Sequence, residues 1–249
     1  MLTLTDKVTI IAGGGTGIGK ATAELFANEG TKLILLGRRE APLKETSKET
    51  GASYYQCDVC DEARVEEIVK KIENSYDHID ILVNSAGVHK IEGLLTDLEE
   101  KVIDEILRVN IKGTLLLSKH VLKKMRQQKY GNIVNIGSIL GVIGAENVTA
   151  YTASKGAIIA MTRAMAIENA PYGIRVNCVS PSIVETDMIK KALEADSQFK
   201  RRMMNAHPSK RLLTAREVAR TILYLASDSS SFINGQNILV DAGRSVYDR

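Results

Sequence analysis

Short, continuous apolar runs alternate with longer stretches of helical period from one end of the chain to the other. The runs are Lys7–Ala12, Lys32–Leu36, Ser53–Cys57, Ile79–Val83, Asn132–Ile136, Arg175–Val179 and Asn237–Val240. Helical patterns fill 17–29, 40–50, 61–75, 97–127, 149–169 and 214–227. A parallel strand covered on both faces reads as an unbroken apolar run, and these mostly do. Seven strands with helical crossovers predict an α/β fold with a largely parallel sheet flanked by helices. The rhythm breaks between Pro181 and Thr214, where the chain is charged and only patchily apolar; such an excursion predicts a lid at about 182–213.

Composition narrows this reading. The chain has 249 residues, 44% hydrophobic and 25% charged, which suits one folded domain over 1–249 and excludes disorder. Thirty-three basic against thirty acidic residues leave +3, with no basic stripe for nucleic acid. No apolar run approaches the roughly 18 residues of a membrane span, and Met1-Leu2-Thr3-Leu4 does not open a secretory signal. Three cysteines are not a disulfide framework, so the expected location is cytoplasmic. Composition alone does not separate a barrel from an open sheet.

The first strand runs into Gly13-Gly14-Gly15-Thr16-Gly17-Ile18-Gly19 and then a helix. The glycines stand as G-x-x-x-G-x-G, but the physics of a phosphate loop holds. Gly13 suits a tight turn, while Gly17 and Gly19 let the main chain approach a pyrophosphate held by helix N–H groups. Gly15, Thr16 and Ile18 complete the expected cofactor contact. A phosphate loop this early favours a Rossmann-type doubly wound sheet over a barrel. The second strand ends Leu36-Gly37-Arg38-Arg39, so Gly37 stands where an acid would bind the ribose of NAD. Arg38 and Arg39 predict a grip on a 2′-phosphate, hence NADP(H) in preference to NAD(H).

Tyr151 and Lys155 are four residues apart near a helix start and share one face. Ser138 follows an apolar strand and is expected at the carboxyl edge of the sheet, where open α/β sheets bind ligands. A phenol is a poor base near neutral pH, and a neighbouring ammonium is expected to lower its pKa. The set suits proton exchange at a carbonyl or alcohol paired with hydride transfer. It does not suit acyl transfer, because no histidine or carboxylate accompanies Ser138.

With these motifs in order, the chain resembles the short-chain dehydrogenase/reductase family over nearly its whole length, in particular the 3-oxoacyl-(acyl-carrier-protein) reductase and glucose dehydrogenase-like group. Asp58-Val59, Asn84-Ser85-Ala86-Gly87, Asn110, Arg175-Val176-Asn177, Ile233-Asn234-Gly235-Gln236 and Val240-Asp241-Ala242-Gly243 also match. The resemblance implies Tyr151 as acid/base, Ser138 as the carbonyl-orienting hydroxyl, and Lys155 as ribose ligand and modulator of Tyr151. Asn110 would hold a water linking Lys155 to solvent. Asp58 and Val59 would meet adenine, and Asn84, Ala86 and Gly87 would line the cofactor cleft. Pro181, Ile183 and Thr186 would approach the nicotinamide, and a homotetramer is implied. Ala12, Ser85 and Ser182 depart from the family pattern.

The remaining candidates read as structural. Cys57 and Cys60 have metal-pair spacing without a second pair, so no metal is expected. Of the histidines, His89 and His207 alone lie where substrate could be reached. Seven basic residues between Met188 and Arg211 suggest an anionic substrate, such as a thioester on a phosphopantetheine arm. Carrier-protein reductases usually have basic residues at positions 129 and 172; Lys129 keeps the first and Tyr172 does not. The expected partner is a small carbonyl or alcohol substrate. A dinucleotide-sensing protein without catalysis is the rival reading.

Overall fold

The computed structural model describes residues 4–90 and 92–247, apart from the side chains at 187, 188, 191 and 192. Met1-Leu2-Thr3 and the Met188 and Lys191 side chains therefore lie outside the described residues. The first half of the chain builds β1 (Val8–Ala12), α1 (Gly17–Asn28), β2 (Lys32–Gly37), α2 (Glu40–Thr50), β3 (Ser53–Gln56), α3 (Glu62–Tyr76) and β4 (Ile81–Asn84). The second half adds α4 (Glu100–Leu107), α5 (Thr114–Gln128), β5 (Gly131–Ile136), α6 (Thr149–Asn169) and β6 (Ile174–Pro181). Then come β7 (Val184–Glu185), α7 (Asp187–Ala195), α8 (Ser197–Asn205), β8 (Leu213–Thr214), α9 (Ala215–Ala226) and β9 (Asn237–Val240).

The main sheet has seven parallel strands in the order β3-β2-β1-β4-β5-β6-β9. Neighbouring strand residues serve opposite faces, as the pleat requires. Ile10, Ile34, Leu82 and Ile133 pack with Ile68, Ile72, Val121 and Met125 of α3 and α5. Ile11, Leu35, Val83 and Val134 pack with Phe26, Val218 and Ile222 of α1 and α9. Each such fully buried side chain contributes roughly 1.5–3 kcal/mol, so the apolar runs drive sheet and helices together.

Chain order reverses beside β1, which has β2 on one side and β4 on the other, and that reversal opens a crevice at the carboxyl edge. Ala12 pairs in register with Asn84, and Asn84 with Asn135, so the loops after β1, β4 and β5 leave at one level. The Asn84 amide donates to Asn135 Oδ1 (2.9 Å) and Ser118 Oγ (3.0 Å), and the Asn135 amide donates to Thr162 Oγ1 (2.9 Å). This buried ladder ties β4, β5, α5 and α6 together just beneath the crevice.

Two elements differ from the sequence pattern. The helix expected over 97–127 is α4 and α5 joined through a π-helical stretch, Arg108–Gly113, which places buried Asn110 in a widened turn. The strand expected to begin at Ile79 begins at Ile81. Asp80 bonds across to Val8 through both its backbone N–H and its carboxylate, and Gln128 occupies the amide of Ile79. The 182–213 excursion holds α7 and α8 between β7 and β8, which pair in parallel as a separate two-stranded sheet.

Candidate active site

The crevice is a cleft of about 670 Å³, within the range of small-molecule and cofactor sites. Its floor begins at the glycine loop. Gly13 has φ +78°, and a Cβ there would stand 2.8 Å from Ala86 N; a Cβ on Gly19 would run into the Gly13 carbonyl. Thr16, the residue before α1, makes no side-chain cap, so the first-turn N–H groups take no acceptor from it. That cradle fits an anionic pyrophosphate, and no Cβ-bearing loop would replace it. A Cβ on Gly17 would lie 3.3 Å from the Thr186 side chain, so the glycine loop and the start of the 182–213 excursion face each other across the cleft.

Gly13, Gly15, Thr16, Gly17, Ile18, Arg38, Arg39, Asp58 and Val59 line one end of the cleft. Arg38 and Arg39 are exposed at the end of β2. Burial works against the Asp58 charge, but the Cys60 backbone N–H and Arg108 outweigh it and hold the carboxyl below its usual range. Ala86, Gly87, Pro181, Ile183 and Thr186 continue the wall toward Ser138, Tyr151 and Lys155. Two expected contacts are absent from that wall. Asn84 is turned into the buried amide ladder, and Gly19 packs beneath Gly13 rather than on the cleft surface.

At the other end, α6 places Tyr151 and Lys155 on the wall, one turn apart. The Lys155 ammonium donates to the Ile136 carbonyl (2.8 Å), and burial pushes its pKa down to about 8. Burial pushes the Tyr151 phenol up to about 12, while the Ser138 hydroxyl pulls the other way. The sequence expectation that Lys155 lowers this phenol is therefore corrected: burial raises it. The ammonium lies 5.7 Å from the ring centre, and loss of water sets the direction of the shift. Ser138 is buried and its Oγ accepts the Leu140 backbone N–H (3.1 Å), which leaves the hydroxyl proton to be donated.

Asn110 is not on the wall. Its side chain pins Val88 through two bonds (2.8 and 3.0 Å) and donates to Ser154 Oγ (3.0 Å), which in turn donates to the Tyr151 carbonyl (2.7 Å). Its carbonyl accepts the Thr114 hydroxyl (2.8 Å).

Sequence reasoning missed the hydrogen-bond chain around Ser182. Nδ1–H of His207 donates to the Met203 carbonyl (2.9 Å), which fixes the tautomer and leaves Nε2 to accept from Ser182 Oγ (2.7 Å). Arg244 donates to the same Oγ (3.2 Å). The departure at Ser182 thus joins the 182–213 segment to the C-terminal region beside the cleft. Burial lowers the His207 pKa, consistent with this neutral tautomer. Its signals in sequence are Ser182, which departs from the family pattern, and His207, placed within reach of substrate.

His89 lines the cleft with its ring edge-on to Tyr151 (centroids 4.7 Å apart), and burial lowers its pKa. The described residues of α7 and α8 on the cleft are Ile189, Phe199 and Met203, whereas Lys190, Lys200, Arg201 and Arg202 are exposed. Cys57 and Cys60 are buried thiols that loss of water pushes up to about 11.

Comparison with known proteins shows the family of the chain. The sequence profile of a family described as enoyl-(acyl carrier protein) reductase matches residues 12–245. The 3-oxoacyl-(acyl-carrier-protein) reductase FabG of Thermotoga maritima is 38% identical over 245 residues, covering 96% of this chain and 98% of that protein. The NAD-dependent glycerol dehydrogenase of Listeria innocua is 37% identical over 246 residues, covering 98% and 95%. Among solved structures, ElxO with NADP bound superposes with a TM-score of 0.93 at 33% identity, covering 98% of this chain and all of that one. The chain belongs to the short-chain dehydrogenase/reductase family, oxidoreductases that act on alcohol and carbonyl groups with nicotinamide cofactors. Among the described residues no helix is long and apolar enough to cross a membrane.

Proposed function

We propose that this protein is an NADP(H)-dependent oxidoreductase that interconverts a carbonyl and a secondary alcohol, using Ser138, Tyr151 and Lys155. The observation that carries the reading is the sharing of one cleft by the glycine cradle, Arg38 and Arg39 at one end and these three side chains at the other. A bound nicotinamide supplies or accepts the hydride. The chain's own residues handle the proton. A phenol held up near 12 is protonated at working pH, so in the reducing direction Tyr151 donates to the substrate oxygen. Ser138 donates a second hydrogen bond to that oxygen. Lys155, with a pKa brought down to about 8, exchanges its proton near neutrality and can reprotonate Tyr151.

The preference for NADP(H) rests on Gly37 and the two arginines beyond it, since a guanidinium binds a 2′-phosphate that a carboxylate would repel. The relatives include both an NADP-bound and an NAD-dependent protein, so the local residues carry this assignment. The chain acts as a single catalytic unit in the cytoplasm, with residues 182–213 as a substrate lid and assembly as a homotetramer. Ile189, Phe199 and Met203, the described α7 and α8 side chains on the cleft, support an uncharged or acyl substrate.

The second reading is reduction of a 3-oxoacyl thioester. The Arg126 guanidinium lies 4.9 Å over the Tyr172 ring, which restores a cation beside Lys129 where carrier-protein reductases have a basic residue. A panel of acetoacetyl-CoA, dihydroxyacetone, a cyclic diketone and the corresponding alcohols, each with both cofactors, tests the proposal. Turnover favouring NADPH with any of them supports it. Dinucleotide binding without turnover would instead indicate a sensing protein.

A further inference from the structure

The helix that carries Tyr151 and Lys155 is capped from a distant part of the chain. Val148, which precedes α6, makes no side-chain cap, although the first-turn N–H groups of a helix need acceptors. Glu92 supplies them. One carboxylate oxygen accepts the Ala150 N–H (2.8 Å) and the other accepts the N–H of Tyr151 itself (3.0 Å). Glu92 lies in the loop that follows β4, beyond a strap formed by Ser85–His89 on the cleft wall. Within the strap Asn110 grips Val88 on both its N–H and its carbonyl. Between these anchors, His89 sets its ring edge against Tyr151 with an interplanar angle of 83°. The same Asn110 reaches Ser154, whose hydroxyl bonds the Tyr151 carbonyl. Tyr151 is therefore held at its N–H by Glu92, at its carbonyl through Ser154, and at its ring by His89.

We infer that Glu92 is a positioning residue for the acid/base, an inference that rests on the role proposed above for Tyr151. Its two oxygens fix the first turn of α6 in height and rotation, and so fix the phenol relative to Ser138. A carboxylate fits this place better than an amide, since it presents two acceptors to two N–H groups and its charge suits the positive end of a helix. Nothing in the local sequence marks this cap, because donor and acceptor are separated by 58 and 59 residues.

The experiment is steady-state kinetics on Glu92→Ala and Glu92→Gln, with NADPH and the panel substrate of highest turnover. NADPH affinity by fluorescence titration and the solvent isotope effect on kcat accompany it. A slight misplacement of a reacting group lowers turnover by up to about 100-fold, so kcat of Glu92→Ala is expected to fall roughly 10- to 100-fold. NADPH affinity stays within about twofold, because the glycine cradle and Arg38 are untouched. The solvent isotope effect rises as proton transfer becomes limiting. Glu92→Gln recovers part of kcat through its one acceptor oxygen, and it carries the test if Glu92→Ala fails to fold. Unchanged kcat in Glu92→Gln and Glu92→Ala overturns the inference. So does a fall in kcat matched by an equal fall in NADPH affinity with no change in isotope effect, the pattern of general loosening. If Tyr151→Phe keeps its turnover, the underlying role of Tyr151 fails instead, whatever Glu92 does.

Discussion

The Lys155 ammonium stands 5.7 Å from the centre of the Tyr151 ring and donates its 2.8 Å hydrogen bond to the Ile136 carbonyl at the end of β5. The lysine is thus fastened to the sheet edge rather than to the phenol. Both groups are buried, and burial drives them in opposite directions: the ammonium toward neutrality and the phenol toward protonation.

That opposition gives a pH dependence of stability. The Lys155 pKa drops from 10.5 unfolded to about 8 folded, so between those values the unfolded chain holds the extra proton. Stability attributable to Lys155 therefore rises with pH from about 8 to about 10.5. At about 1.4 kcal/mol per pH unit the full rise is on the order of 3 kcal/mol. Urea unfolding of wild type and Lys155→Met across this range checks it: wild type gains on the variant as pH climbs, and parallel curves contradict the assignment.

Cofactor preference should be separable from turnover. Arg38→Ser removes a charge-assisted contact worth about 1.5–3 kcal/mol, so kcat/KM with NADPH falls roughly 10- to 100-fold. The value with NADH barely moves, because the residue has no 2′-phosphate to meet. Equal losses with both cofactors would show that Arg38 serves the fold.

Asn84 separates a scaffold role from a cofactor role. Asn84→Ala leaves Ser118 Oγ and Asn135 Oδ1 without their donor and should destabilise the protein by about 1–3 kcal/mol. NADPH affinity, measured by titration on the folded protein, stays near that of wild type. Lost affinity at full stability would return Asn84 to the cleft wall.

Much of this architecture is legible in the chain because buried parallel strands are written locally. Ile10-Ile11 and Leu82-Val83 are apolar at consecutive positions, and each pair feeds both faces of the sheet. The glycine loop is equally legible, since only glycine tolerates the Gly13 backbone and the Gly19 contact. What escaped is non-local. Val184–Glu185 and Leu213–Thr214 are two-residue strands that exist only through each other, so no periodicity announces them. Asn84 and Asn110 sit at family-like positions, yet their amides are committed to Asn135, Ser118, Val88 and Ser154, partners that only the fold brings near. The Tyr151 phenol is raised for the same reason: the Tyr-Lys spacing is visible in sequence, whereas the depth of the pocket is not.

Tyr151 transfers the proton in the proposed reaction. Turnover of Tyr151→Phe with NADPH and the panel substrate of highest turnover, followed by nicotinamide absorbance, tests it most directly. A positioned general acid is worth about 10²- to 10⁴-fold, so kcat is expected to fall by at least about 100-fold with NADPH affinity close to wild type. A kcat within a few-fold of wild type would contradict it.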